Sequence, residues 1–210
     1  PYRAQIIPIS SEYIDSLSLY IESKESCDVT LRVEILQAKD IWSFNRPRQP
    51  LKVVKVNIPS NFKGWFKIPL NIKVRPRHLY QVNVYGTERI FWYRSRPLPG
   101  VTAAFKKRTW KRWIHEKPVY ALKIMPPTKP YEPENVISGV SRPEKWTNIW
   151  ISDPKQRLPQ TLTLHFDGYR SINTVYLTFD TYLHENTHTF PPMYKVPECA
   201  KDYTVKVHAK

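Results

Sequence analysis

The sequence predicts an all-β protein built of two tandem antiparallel β-sandwiches of jelly-roll type, and three observations carry that prediction. Apolar residues alternate with polar ones at period two. No segment holds an i, i+3, i+4, i+7 stripe over twelve residues, and prolines at 47, 50, 59, 69, 76, 97, 99 and 118 interrupt any helix. Polar and proline-bearing turns recur about every ten residues, the spacing of short antiparallel strands.

The strands follow in order from the alternation. Leu17, Leu19 and Ile21 form one apolar face, and Val29, Leu31, Val33 and Ile35 form the next. Runs at 51–58 and 65–70 follow, then Val82 with Val84, the run 90–93, and Tyr120, Leu122 and Ile124. Beyond these, 162–166, 174–179 and 203–207 carry the same pattern. Between the two sets stands Met125-Pro126-Pro127-Thr128-Lys129-Pro130-Tyr131-Glu132-Pro133, with four prolines in nine residues. A stiff, extended linker is the expectation, so the domains are drawn at 1–125 and 134–210 with residues 126–133 joining them.

Composition excludes several functions. The five glycines, Gly64, Gly86, Gly100, Gly139 and Gly168, are isolated, so neither a G-x-G-x-x-G turn nor a G-x-x-x-x-G-K-[ST] loop can be written. No run approaches a membrane span. The chain opens Pro1-Tyr2-Arg3 without methionine, and the expectation is a piece excised from something larger. Cys27 and Cys199 are expected to be two buried free thiols, and two cysteines assign no compartment.

Charge is uneven. Lys and Arg number 33 against 18 Asp and Glu, a net +15. Residues 1–126 hold 23 basic and 9 acidic side chains, and residues 46–123 hold 19 basic against only Glu88 and Glu116. Such a field favours polyanions and makes their binding salt-dependent. Its sharpest feature is Phe105-Lys106-Lys107-Arg108-Thr109-Trp110-Lys111-Arg112-Trp113, in which Lys106, Lys107, Arg108, Lys111 and Arg112 are candidates for phosphate or sulfate. Trp110 and Trp113 are read as core residues ahead of stacking platforms.

Catalytic constellations are absent from the motifs: there is no G-x-S-x-G elbow and no recognisable cysteine nucleophile. His184-Glu185-Asn186-Thr187-His188 matches H-E-x-x-H by letter. Zinc hydrolysis needs that motif on a helix, whereas a strand-like run precedes it and Pro191-Pro192 follows, so His184 and His188 are weak metal candidates on a loop.

After the proline segment come Asn135-Val136-Ile137-Ser138-Gly139, Trp150-Ile151-Ser152, Pro159-Gln160-Thr161-Leu162-Thr163-Leu164-His165-Phe166 and Ile172-Asn173-Thr174-Val175-Tyr176-Leu177. That order resembles the discoidin or coagulation factor 5/8 type C family, a galactose-binding-like jelly roll, over residues 131–210. Together with Asp40-Ile41-Trp42-Ser43-Phe44, Trp110-Lys111-Arg112-Trp113 and Leu177-Thr178-Phe179-Asp180-Thr181, the chain is also similar to the carboxy-terminal β-sandwich region of bacterial FAD-dependent oxidoreductases. The resemblance implies a non-catalytic accessory region whose partner is carbohydrate or an upstream catalytic domain. FAD would lie upstream, with no cofactor in this chain beyond a structural calcium. It implies ligand loops carrying Arg142, Lys145, Trp146, Asn148, Trp150 and Asp153, with Trp146 the exposed platform, and a second sandwich lacking strands after 203–207.

Overall fold

The computed structural model describes residues 2–46, 48–116, 118–140, 142–153, 155–179 and 200–207. By its internal contacts the chain divides into two units, Pro1–Trp150 and Ile151–Lys210. The described elements are strands apart from one 3-10 turn, Pro133–Ile137. No helix among the described residues is long and apolar enough to cross a membrane.

The first unit is a β-sandwich. Its strands are β1 (Tyr2–Ile9), β2 (Tyr13–Ser23), β3 (Val29–Ala38), β4 (Lys52–Ile58), β5 (Lys63–Lys73), β6 (His78–Tyr85), β7 (Ile90–Trp92), β8 (Arg94–Ser95), β9 (Thr102–Lys106), β10 (Ile114–Glu116), β11 (Val119–Tyr120) and β12 (Leu122–Met125). A six-stranded sheet runs β10-β9-β1-β6-β3-β4, and a four-stranded sheet runs β12-β2-β5 with β7 also paired to β2. β8 and β11 form a separate pair, and every pairing is antiparallel.

Period two decides what each sheet buries. Leu17, Leu19 and Ile21 from β2 and Ile68 and Leu70 from β5 meet Leu31, Val33 and Ile35 from β3 and Tyr80, Val82 and Val84 from β6 in one cluster. Each such side chain contributes on the order of 2 kcal/mol when fully buried. The six-stranded sheet is covered on its other face too. There Ala4, Ile6, Ala38, Leu79 and Ala104 pack with Ile41, Phe44 and Trp113, which come from loops. β1 is therefore apolar on both faces, which removes the alternation that marks a half-buried strand.

The proline-rich stretch is fastened to the sandwich. Thr128 Oγ1 donates to the Pro8 carbonyl at 2.9 Å, Lys129 N donates to Ser10 Oγ at 2.8 Å, and the Tyr131 hydroxyl donates to the Pro99 carbonyl at 2.7 Å. These bonds tie residues 126–133 to the first unit, and the contact boundary falls after Trp150. Gly100 sits beside this segment with φ +76°, and a Cβ there would stand 2.8 Å from Thr147 Cγ2. Gly100→Ala combines left-handed strain with a clash and is expected to lower stability by about 1–3 kcal/mol. Urea unfolding of the full chain checks it.

Three expected strands are corrected. Residues 162–166, 174–179 and 203–207 are not in strands, and none of the described residues from 151 onward is buried. Leu164, Phe166, Val175 and Tyr203 are exposed by half or more. Alternation makes a strand only where one face is covered and the backbone finds partners, and neither condition is met among these residues. Cys27, expected in the core, is exposed and free.

Candidate functional site

The loop after β3 is folded by its own polar residues. Asp40 Oδ1 accepts from Trp42 N at 2.9 Å, an Asx turn. Ser43 Oγ donates to the Asp40 carbonyl at 2.8 Å and accepts from the Lys39 and Asp40 amides at 3.1 and 3.2 Å. Arg48 clamps the loop from outside, donating to the carbonyls of Gln37 and Ser43 and to Gln81 Oε1 at 3.4 Å. Burial lowers its pKa from the ordinary value, with Asp40 acting against that shift.

The same loop is pinned at three further points. The Thr102 hydroxyl donates to the Ile41 carbonyl, and Ile41 N donates to the Glu144 carbonyl at 3.0 Å. Asn45 brackets the Trp113 backbone, donating to its carbonyl at 3.0 Å and accepting from its amide at 2.6 Å. Ile41 and Phe44 are driven into the second cluster, so Trp42 between them is turned out and is 46% exposed. His115 packs edge-on against Trp42 and Phe44 at 5.1 and 5.0 Å between centroids. Desolvation by this packing holds its pKa below the ordinary value.

The result is an open groove of about 580 Å³ lined by Lys39, Asp40, Trp42, Ser43, Asn45, Arg46, Glu144 and Lys145. It offers one aromatic surface and the charged groups of Lys39, Arg46, Glu144 and Lys145, a combination that can take a polyhydroxylated ring by stacking and hydrogen bonds, while the Ser43 hydroxyl and the Asn45 amide are engaged within the loop. Behind it, on the same face of the six-stranded sheet, Glu34 accepts from the Tyr85 hydroxyl at 3.0 Å and Asn83 Nδ2 at 3.3 Å and pairs with Arg32. Gln81 Nε2 donates to Asn83 Oδ1 at 2.7 Å. These buried polar groups are mutually satisfied and stiffen the face beneath the loop. Burial first, and the Glu34 charge second, raise the Tyr85 pKa.

The sequence-predicted residues part company here. Lys145 lines the groove, brought there by the Ile41–Glu144 backbone bond. Trp146, expected as an exposed platform, is only 6% exposed; its indole Nε1 donates to Asn135 Oδ1 at 3.2 Å and the Arg77 guanidinium lies 5.2 Å from its ring. An indole that finds both a hydrogen-bond partner and a cation belongs to the interior. Arg142 is exposed, and Asn148 spends its amide on the Arg142 and Trp146 carbonyls at 3.1 and 3.4 Å, which supports its left-handed φ of 53°. Trp150 is half-buried, and Asp153 Oδ1 accepts from Lys155 N at 2.9 Å in its own turn.

In the basic tract, Lys106 is half-buried among aromatic rings, with Nζ 4.7 Å from the Trp113 ring, 5.7 Å from Tyr85 and 6.0 Å from Tyr2. Lys107, Arg108, Lys111 and Arg112 are exposed on the turn between β9 and β10, and none forms an ion pair with a described residue. Trp113 is buried as expected; Trp110 is 38% exposed, lying against Phe105 with Lys107 over its ring. His184 and His188 lie outside the described residues. Sequence reasoning missed Trp42, Asn45, Lys39 and Arg46, although Asp40-x-x-Ser43 is itself a turn signal. No family model matches the chain, and neither the curated proteins nor the solved structures give a match.

Proposed function

We propose that this chain is a non-catalytic binding module that takes carbohydrate in the Trp42 groove and positions a larger enzyme on its substrate. The observation that carries the proposal is an exposed tryptophan held rigidly in a concavity ringed by Asp40, Asn45, Arg46, Glu144 and Lys145. That the enzyme is an FAD-dependent oxidoreductase, and that residues 134–210 derive from a galactose-binding-like sandwich, belongs to the same proposal. The sandwich reading rests on the order of the Asn135, Trp150, Pro159 and Ile172 motifs, and the oxidoreductase reading on these together with Asp40–Phe44, Trp110–Trp113 and Leu177–Thr181.

Glycan-array screening of the full chain, followed by calorimetry on the best neutral oligosaccharide, tests it. Trp42→Ala is expected to weaken binding by about tenfold or more while lowering the melting temperature by a few degrees at most, since the ring is nearly half exposed and its internal contact is the one with His115. Binding should change little between about 50 and 200 mM salt, because stacking on a neutral sugar releases no counterions. No glycan binding, or binding indifferent to Trp42→Ala, overturns the proposal.

A second reading has its own observation. The four exposed cations on the β9–β10 turn, none in an ion pair with a described residue, favour polyanion binding there, with steep salt dependence and sensitivity to Lys111→Gln and Arg112→Gln rather than to Trp42→Ala.

A further inference from the structure

The four-stranded sheet has an outer face that the core does not use. Inward and outward side chains alternate, so burial of Leu17, Leu19 and Ile21 turns Ser18, Tyr20 and Glu22 of β2 outward. On β5 the outward set is Lys63, Trp65 and Lys67, and β12 adds Lys123.

Register sets these residues in rows across the strands. Ser18 pairs with Lys67 on one side and Lys123 on the other. Tyr20 pairs with Trp65, and on its other side Tyr93 N donates to the Tyr20 carbonyl at 3.0 Å. Glu22 pairs with Lys63 and with Phe91. An aromatic row, Trp65, Tyr20 and Tyr93, thus runs between two rows that carry lysines. Trp65 is 42% and Phe91 45% exposed, and Lys63, Lys67 and Lys123 are all exposed.

The cations are held on the rings. Lys123 Nζ lies 4.1 Å from the Trp65 centroid, Lys63 Nζ 5.3 Å from Tyr93 and Lys24 Nζ 5.2 Å from Phe91, geometries in which the ring quadrupole attracts an ammonium. The carboxylate in these rows, Glu22, is already engaged by the Tyr93 hydroxyl at 2.5 Å and by Lys63 at 3.9 Å. Lys24, Lys67 and Lys123 have no ion-pair partner among the described residues.

Spacing selects the occupant. Side chains two apart on a strand stand about 7 Å apart, so the lysine rows are about 14 Å apart with the aromatic row midway, and that row spans about 10 Å over three strands. A polymer following the aromatic row meets cations on both sides of its axis. Extended polysaccharides of near two-fold repeat place successive substituents on alternate sides, and about 10 Å accommodates two sugar rings. A single-stranded nucleic acid carries its phosphates along one edge of its stacked bases, whereas cations here flank the aromatic row on both sides.

The geometry points to an extended acidic polysaccharide, a polyuronate, bound across the outer face of the four-stranded sheet with its sugar rings on Trp65, Tyr20 and Tyr93 and its carboxylates on Lys67 and Lys123 to one side and on Lys24 to the other. This face is separate from the Trp42 groove, and neither depends on the other.

Oligogalacturonate titrated calorimetrically into the full chain tests the inference. The expected result is binding at 50 mM salt that weakens steeply by 200 mM. Trp65→Ala should reduce affinity about tenfold or more, the Lys67→Gln and Lys123→Gln pair should flatten the salt dependence, and Trp42→Ala should change neither. Lys67 and Lys123 are exposed and Trp42 and Trp65 nearly half so, and each variant is expected to keep the fold with its melting temperature lowered by a few degrees at most. Absence of oligogalacturonate binding at 50 mM salt, binding indifferent to both the Trp65 and the lysine variants, or tighter binding of oligothymidylate of equal charge overturns it.

Discussion

Replacing Asn135 with alanine is expected to cost about 3–5 kcal/mol, a large share of the 5–15 kcal/mol that a domain of this size has in total. Asn135 is 1% exposed, and its amide uses both ends. Nδ2 donates to the Pro130 and Ile149 carbonyls, both at 2.8 Å, while Oδ1 accepts from Trp146 Nε1 at 3.2 Å and Arg77 Nη2 at 3.1 Å. Alanine leaves the Ile149 carbonyl and the Trp146 indole N–H without partners, at roughly 1–3 kcal/mol each before relaxation, and the Pro130 carbonyl with the Thr147 hydroxyl alone. Asn135→Asp keeps the acceptor but sets a carboxylate oxygen against the Pro130 and Ile149 carbonyls in a buried site, so it should cost at least as much as alanine. Urea unfolding reads the size of the effect, and amide exchange should show residues 130–150 opening first. A loss under about 1 kcal/mol would mean that these bonds do not hold the segment to the sandwich.

The second large effect is expected at Arg48, which lines no part of the groove yet holds the loop that makes it. Its guanidinium reaches two carbonyls of the chain, Gln37 and Ser43, across the turn. Charge-assisted bonds of this kind are worth about 1.5–3 kcal/mol, so Arg48→Ala should lower Tm by several degrees, on the order of 4–8 °C. Glycan binding should fall further than stability does, because Trp42 and Arg46 lose their fixed positions. Arg48→Lys offers a single ammonium where a planar fork spans two acceptors, and it should restore little. Differential scanning calorimetry and a binding isotherm on each variant separate the two effects. Unchanged binding in Arg48→Ala would show that the loop holds itself.

Much of the sandwich was legible because apolar residues alternate with polar ones along its strands. β2, β4 and β5 bury one face and leave the other wet, and β3 and β6 keep the alternation in sequence, at Val29, Leu31, Val33, Ile35 and at Val82, Val84, although the polar residues between them, Glu34, Gln81 and Asn83, are buried as well. β1 escaped because both of its faces are covered, Ile7 and Ile9 by one cluster and Ala4 and Ile6 by the other. The same alternation at Leu162, Leu164 and Phe166 gave strands that do not form, since period two reports a strand's capacity to bury a face and not the presence of a cover.

The site was less legible for a different reason. Lys145 could be reached from its neighbours in sequence, but Trp42 and Asn45 lie a hundred residues away and meet it only through the Ile41–Glu144 bond and the packing of Phe44 and Trp113. Trp146 and Lys106 show the converse. Each looked free in its local context, and each is taken by partners that only the fold supplies: Asn135 and Arg77 for the indole, Trp113, Tyr85 and Tyr2 for the ammonium.

The central claim, a carbohydrate site on Trp42, is tested most directly by following the indole N–H resonances of the seven tryptophans while a neutral oligosaccharide from the array is titrated into the full chain. Saturable movement of the Trp42 resonance is predicted, with the buried Trp113 and Trp146 stationary and Trp65 on the opposite sheet unmoved. Saturable binding that leaves Trp42 in place and shifts Trp65 or Trp110 instead would contradict it.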